Sequence, residues 1–308
     1  AVAKNPAPSS WPEFRGPSGD GIVPGPNDTR PAGLPTTWSE TENVVWKTEI
    51  PPFGWSTPVV LGNHIWLTTA TEDGHDFFVV CVAADTGKIR VNEKLFHHDN
   101  PEPLNNAVNC YASPSAVIEP GRVYVHFGSY GTACLDMDGK VIWKREDLPC
   151  RHYRGPGSSP ILYKDLLILT FDGVDQQYLT ALDKKTGETV WRTERSTKWT
   201  DYDEKGQLIR EGDARKSYST PIVVDVNGTP QVISAGSMCA FAYDAGTGKE
   251  IWAVRYDGYT AAPMPVYGDG VAYILSGRGK NSLNAVKVGG TGDVTESHRV
   301  WKYEGEGL

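Results

Sequence analysis

Six basic side chains stand out in a chain whose net charge is −8. Arg151, Arg154, Arg215, Lys216, Arg278 and Lys280 sit in short polar segments between apolar runs. A guanidinium offers a planar fork of donors that matches a carboxylate, sulfate or phosphate, so this set reads as an anion-binding surface. Aromatics accompany it. Trp55, Tyr111, Tyr218 and Tyr259 each stand shortly before a Pro-containing turn. Asn109, His152 and Tyr153 share these segments, and Asp172 and Asp175 lie in another polar loop. Two plainer readings stay open: the aromatics could pack in every unit, and Asp172, Asp175, Asp213 and Asp257 could neutralise the cations.

Other residue groups carry less chemistry. His97-His98-Asp99 could ligate a metal, but neighbouring side chains in extended chain point opposite ways, and an exposed loop is the better reading. Asp172 and Asp175 could hold Ca²⁺, although two carboxylates leave most of its ligand positions unfilled. Carboxylates near His152 could serve acid–base catalysis, yet no spacing singles out a pair, so the catalytic residues are left unassigned. Cys81, Cys134 and Cys239 lie in apolar stretches and read as buried thiols. Cys110 and Cys150 occupy comparable loops, and spacing leaves open whether they pair. Asn27-Asp28-Thr29 and Asn227-Gly228-Thr229 match the glycosylation pattern and read as chance.

The elements that must position these residues announce themselves by repetition. Ala181-Leu182-Asp183-Lys184-Lys185-Thr186-Gly187-Glu188-Thr189-Val190-Trp191 recurs as Ala242-Tyr243-Asp244-Ala245-Gly246-Thr247-Gly248-Lys249-Glu250-Ile251-Trp252. Each copy reads strand, tight turn, strand, with Gly supplying a positive φ. Trp, or a substitute, ends successive units at Trp46, Val91, Trp143, Trp191, Trp252 and Trp301. Units open at Ser56-Thr57-Pro58, Ala112-Ser113-Pro114, Ser158-Ser159-Pro160, Ser219-Thr220-Pro221 and Ala261-Ala262-Pro263. Four short strands fit between opening and Trp, with no helical periodicity. That arithmetic predicts an all-β propeller of four-stranded antiparallel blades. Five complete blades are visible, preceded by one N-terminal outer strand ending at Trp46.

Residues 1–35 carry eight prolines and read as an extended Pro/Gly-rich arm, with Trp11 and Phe14 pinned into grooves of the body. Residues 36–308 form the propeller. Residues 192–216 are a long charged insertion before the fourth unit, with Gly206 at the tip of a surface hairpin. No apolar run spans a membrane, and the acidic balance argues against nucleic acid as a partner. The chain opens Ala-Val-Ala; a removed signal peptide or a trimmed chain would each explain that.

The Ala-x-Asp-x-x-Thr-Gly-x-x-x-Trp unit resembles the tryptophan-docking repeat of pyrroloquinoline-quinone (PQQ) dehydrogenases. It is equally similar to that of their non-enzymatic relative, the propeller lipoprotein of the outer-membrane assembly machine. The leader Trp11-Pro12-Glu13-Phe14-Arg15-Gly16-Pro17 and the run Tyr124–Asp136 look like secreted PQQ-like propellers of planctomycete-type bacteria. The resemblance covers essentially the whole chain and implies an eight-bladed ring, of which five blades are present here. It implies a periplasmic or secreted location. It also implies weaker docking where Val91 replaces Trp and where Asp136-Met137-Asp138-Gly139 shortens the turn. The quinone enzymes use adjacent cysteines and a Ca²⁺ site, and neither set can be carried onto positions here, so PQQ and Ca²⁺ are unsupported as cofactors and none is expected.

Propeller geometry gathers on one face the lead-in to each innermost strand and the loop between second and third strands. The expected site is therefore this funnel face, comprising Trp55, Asn109, Tyr111, Arg151, His152, Tyr153, Arg154, Asp172, Asp175, Arg215, Lys216, Tyr218, Tyr259, Arg278 and Lys280. The expected function is a binding or scaffold module for an anionic small molecule, an acidic or sulfated glycan, or a protein partner. A PQQ-dependent oxidoreductase and a polysaccharide-lyase-like enzyme are the alternatives.

Overall fold

The computed structural model describes residues 10–22, 35–104, 108–197, 199, 204–205, 207 and 212–305. Among them there is no α-helix, only one 3-10 turn at Gly212–Arg215. Five antiparallel sheets follow one another along the chain. The first is Val59–Leu61, His64–Ala70, Asp76–Ala83 and Ile89–His97. The second is Val117–Glu119, Arg122–His126, Thr132–Leu135 and Val141–Arg145, and the third is Ile161–Tyr163, Leu166–Asp172, Gln177–Asp183 and Thr189–Glu194. The fourth is Ile222–Val226, Thr229–Ala235, Cys239–Asp244 and Glu250–Arg255; the fifth is Val266–Gly268, Val271–Leu275, Ser282–Lys287 and Arg299–Glu304.

The four strands of each sheet form an antiparallel meander, interrupted only in the fifth, where Gly292–Asp293 precedes the last strand and joins the fourth sheet instead. The turn chemistry explains the outer hairpin. Asp183 Oδ1 accepts the N–H groups of Lys185 and Thr186 at 2.8 and 2.9 Å, and Gly187 follows at φ +78°. Asp244 repeats this with Gly246, Thr247 and Gly248 at φ +71°. A bulge then recurs in the same place in all five sheets. Val190 is the extra residue where Ala181 pairs Trp191 and Leu182 pairs Thr189. Arg90, Ile142, Ile251 and Val300 are its equivalents. Such a bulge re-aims the next side chain. The residue paired with the repeat-end position is always small: Cys81, Cys134, Ala181, Ala242 or Ala285.

The aimed indole lands on the next sheet. Trp46, Trp143 and Trp191 lie against Gly87, Gly187 and Gly248, where an added Cβ would come within 2.6, 2.7 and 2.4 Å of the ring. Their Nε1–H groups donate to the carbonyls of Ala84, Lys184 and Ala245, each three residues before its glycine. Val91 meets Gly139 in the same way, without an indole. Trp252 departs from the pattern: its Nε1–H donates to Gln231 of its own sheet, and Gly292–Asp293 pairs parallel with its strand as a fifth member of that sheet. Four apolar cores result, each joining two consecutive sheets. Middle strands are buried on both faces, as at Leu167–Asp172.

Hydroxyls tie the inner ends together. Thr57 N–H donates to Ser115 Oγ at 2.8 Å, Ser115 N–H to Ser159 Oγ at 2.9 Å, and Ser159 N–H to Thr220 Oγ1 at 2.9 Å. This girdle corrects the sequence reading of the openings. Innermost strands begin one residue after Pro58, Pro160 and Pro221, but three after Pro114 and Pro263. Ser115 therefore occupies the girdle position in the second unit, displaced by two residues.

The arm is part of the body. Trp11 exchanges both backbone hydrogen bonds with Val60 at 2.8 Å, and Ile118 N–H donates to Pro12 O. Residues 11 and 12 thus lie along the inner edges of the first two sheets. Burial pushes the Glu13 carboxyl up to about 7. Gly19 approaches the Met264 methyl in the lead-in of the fifth sheet. The segment ending at Trp46 was expected as an outer strand, but it joins no ladder among the described residues and is held by the Trp46 indole and the Thr48 hydroxyl. Asn27-Asp28-Thr29, Gly206 and most of 198–211 lie outside the described residues.

Candidate functional site

The lead-in segments of all five sheets converge on one pocket of about 450 Å³. The first contributes Trp55, the second Asn109 and Ser113, the third Arg154 and Gly157. The fourth contributes Tyr218 and Thr220, the fifth Thr260 and Arg278, and Phe14 of the arm closes the ring of contacts. Both charged lining residues are arginines. Backbone hydrogen bonds fix the walls: Trp55 N–H to Ala112 O at 3.1 Å, Tyr218 N–H to Ala261 O at 2.7 Å, and mutual bonds between Tyr259 and Arg278.

The fifth-sheet wall has two unusual features. The Arg278 guanidinium has no ion-pair partner among the described residues. Thr260 sits at φ +53°, costly for a β-branched residue, and its hydroxyl has no hydrogen-bond partner. Strained backbone of this kind concentrates where ligands are held.

The remaining predicted residues divide by partner. Asn109 is a strut: its amide donates to the Arg154 and Pro156 carbonyls at 2.8 and 2.9 Å. Tyr111 is buried and donates to Glu102 O. Arg151 points to Glu102 at 3.2 Å, whose other carboxylate oxygen accepts the Tyr153 N–H. Asp175 caps its loop by accepting the amides of Arg151 and Gln176. Asp172 is clamped by Arg195, Nε to Oδ1 at 2.6 Å and Nη2 to Oδ2 at 2.7 Å, with both side chains buried. Arg215 lies over the Trp199 ring at 5.4 Å. Lys280 pairs with Asp257 at the surface, 3.3 Å apart.

His152 and Lys216 are beneath the floor rather than in the wall. His152 Nε2 accepts the Ser129 N–H at 2.9 Å, and burial holds its pKa well below the usual value, so it is a neutral structural imidazole. His126 beside it is likewise depressed, to about 3, by burial. His97 pairs with Asp76 and Asp99, while His98 bonds the Tyr130 carbonyl. All five cysteines are buried free thiols, Cys110 and Cys150 included.

Phe14, Val108, Ser113, Thr220 and Thr260 line the pocket without having been expected in the site. Thr220 and Thr260 adjoin segments that were, and the placement of Phe14 had a signal in the paired aromatics of the arm.

The comparisons decide the fold. The family profile described as outer membrane protein assembly factor BamB matches residues 175–307. The chain is similar to the crystal structure of BamB from Moraxella catarrhalis, at 18% identity and TM-score 0.50, over 79% of this chain and 58% of that one. It is also similar to quinohemoprotein alcohol dehydrogenase from Comamonas testosteroni, at 15% identity and TM-score 0.53, over 82% of this chain and 43% of that one. The chain has the β-propeller fold of these structures. This propeller spans little more than half the length of the BamB chain and less than half of the dehydrogenase. No curated protein matches it.

A quinone with Ca²⁺ does not fit the propeller's pocket. Ca²⁺ takes six to eight oxygen ligands, usually including carboxylates, and among the described residues no lining residue is acidic. Among the described residues no three His, Cys, Asp or Glu side chains are grouped to hold a metal.

Proposed function

We propose that the propeller is an exported binding module that takes an anionic ligand, an acidic or sulfated saccharide, in the pocket where its five lead-in segments meet. The observation that carries this is the fifth-sheet wall, where Arg278 without an internal counter-ion stands on the same surface as the strained Thr260 with its orphan hydroxyl. Trp55, Tyr218 and Phe14 add flat apolar faces on which a sugar ring can stack. Arginine forks suit the carboxylate or sulfate it carries. Among the described residues no helix is long and apolar enough to cross a membrane.

Calorimetric titration with oligogalacturonate, chondroitin sulfate oligosaccharides and a neutral glucan of equal length tests the reading. The acidic probes bind and the neutral one does not. Arg278→Ala weakens binding about tenfold or more, the scale of one lost hydrogen bond to a charged group. Equal binding of acidic and neutral probes, no binding of either acidic probe, or an unchanged affinity in Arg278→Ala overturns it.

A further inference from the structure

Among the described residues the pocket is walled on every side. Neighbouring lead-ins are joined in turn. Trp55 N–H donates to Ala112 O at 3.1 Å and ties the first to the second. The Asn109 amide, on the Arg154 and Pro156 carbonyls, ties the second to the third. A Cβ on Gly157 would stand 2.7 Å from the Tyr218 ring, so the third and fourth touch there. Thr260 N–H donates to Lys216 O at 2.9 Å, and Tyr218 N–H to Ala261 O at 2.7 Å, which ties the fourth to the fifth. The arm takes the remaining side. It pairs with Val60 of the first sheet at Trp11 and meets the Met264 methyl at Gly19, with Phe14 lining the pocket between them.

The pocket also has a floor and a mouth. Thr220, 2% exposed, both lines it and accepts the Ser159 N–H in the girdle. His152 and Lys216 are buried beneath. Trp55 and Val108 are 48% and 62% exposed and mark the rim. A linear polymer held mid-chain needs two exits, one for each direction. Walls bridged by hydrogen bonds of about 3 Å leave no second exit for a sugar ring. A single mouth admits a chain by its end.

We propose that the pocket reads the terminus of an acidic saccharide, with the rest of the chain leaving through the mouth. The inference rests on the acidic-saccharide reading above and adds which part of the polymer is recognised. A volume of about 450 Å³ lies low in the range of roughly 300–1,000 Å³ typical of small-molecule sites, enough for about two or three sugar rings. Arg154 and Arg278 stand on different walls, so acidic groups on successive rings can each meet a guanidinium. An interior stretch of the same polymer carries the same groups and is refused by shape.

Calorimetric titration of the wild type with a trisaccharide, a hexasaccharide and a long chain of uniform length tests this, all cut from oligogalacturonate or from chondroitin sulfate. The number of proteins bound per chain stays at one at every length, and affinity per chain changes by less than about twofold. A bulky aromatic tag on one end of the hexasaccharide weakens binding about tenfold or more, and the same tag on the other end does not. Several proteins per long chain overturn end recognition while leaving the acidic-saccharide reading intact. So does a tag tolerated at both ends or refused at both. Failure of every length to bind removes that reading and this one with it.

Discussion

Trp191 and Trp301 hold the same place in two sheets and live in different worlds. Each pairs with an alanine, Ala181 or Ala285, and each follows a one-residue bulge. Trp191 is 7% exposed and Trp301 is 44% exposed. Everything local is shared, down to the register. The difference is the neighbour: Trp191 has the Gly248 turn of the next sheet under its ring, with its N–H on Ala245 O. Among the described residues, the ring beside Trp301 is Tyr273 of its own sheet, tilted at 6.0 Å. Strand, bulge and small partner aim an indole; burial comes from the glycine turn that receives it.

The comparison can be broken most forcefully at the ring itself. Trp191→Ala should cost about 3–5 kcal/mol, the scale of a large aromatic deleted from a core. Trp301→Ala should stay within about 1 kcal/mol. Urea denaturation of the two variants checks this, and equal losses would show that the receiving turn contributes little. A smaller effect, about 2–4 kcal/mol, is expected from Gly248→Ala, which combines a positive φ with a Cβ at 2.4 Å from the Trp191 ring. Gly292→Ala shares the positive φ, +70°, but meets nothing within 4 Å, so it should lose only the backbone part. The difference between the two glycines isolates the docking contact.

The smallest expected effect is a pH dependence confined to the buried interfaces. His126 is held neutral by burial, with its pKa at about 3 against an ordinary 6.5. The unfolded chain therefore binds the extra proton first. The stability that neutral His126 supports is complete above about 6.5 and is lost as pH falls toward about 3. Acidifying to pH 5 should lower the His126 contribution by on the order of 2 kcal/mol, with buried His152 acting in the same direction and Glu13, pushed up to about 7, in the opposite one. Urea midpoints from pH 7 to 5 test this, and His126→Gln should flatten the slope. Trp301 fluorescence, isolated in a variant lacking other exposed indoles, should be indifferent to the same change until global unfolding.

Much of this architecture was legible in the residues. The Asp-to-Gly turns, the repeat-end tryptophans and the two-faced apolar strands each carry a local signal, and local signals survive without neighbours. The girdle register did not. Pro114 and Pro263 mimic the opening prolines, but the ladders begin two residues later than that reading implies; in the second unit it is Ser115, not Ser113, that meets the previous sheet's amide. The parallel strand Gly292–Asp293 was equally silent, since two residues carry no periodicity.

The site was read at the right segments and less finely by residue. Arg151 and Arg154 are three apart, yet the left-handed Tyr153 at φ +60° between them sends one to Glu102 and the other to the pocket. Lys216 and Arg215 are adjacent, yet one is buried under the floor and the other stacks on Trp199. Charge type was visible in the sequence, as was Asp257 as a neutralising carboxylate, which pairs with Lys280; Glu102 as the partner of Arg151 was not, because it lies 49 residues away along the chain.

Phe14 belongs to a front segment that is stitched to the sheets by a few backbone bonds yet forms one side of the chamber. Substitutions there can retune what the chamber admits while every sheet stays as it is. A truncation or tag joined close to Trp11 would edit a binding wall rather than a tail, and ligand studies should compare proteins differing only in how that front end is cut.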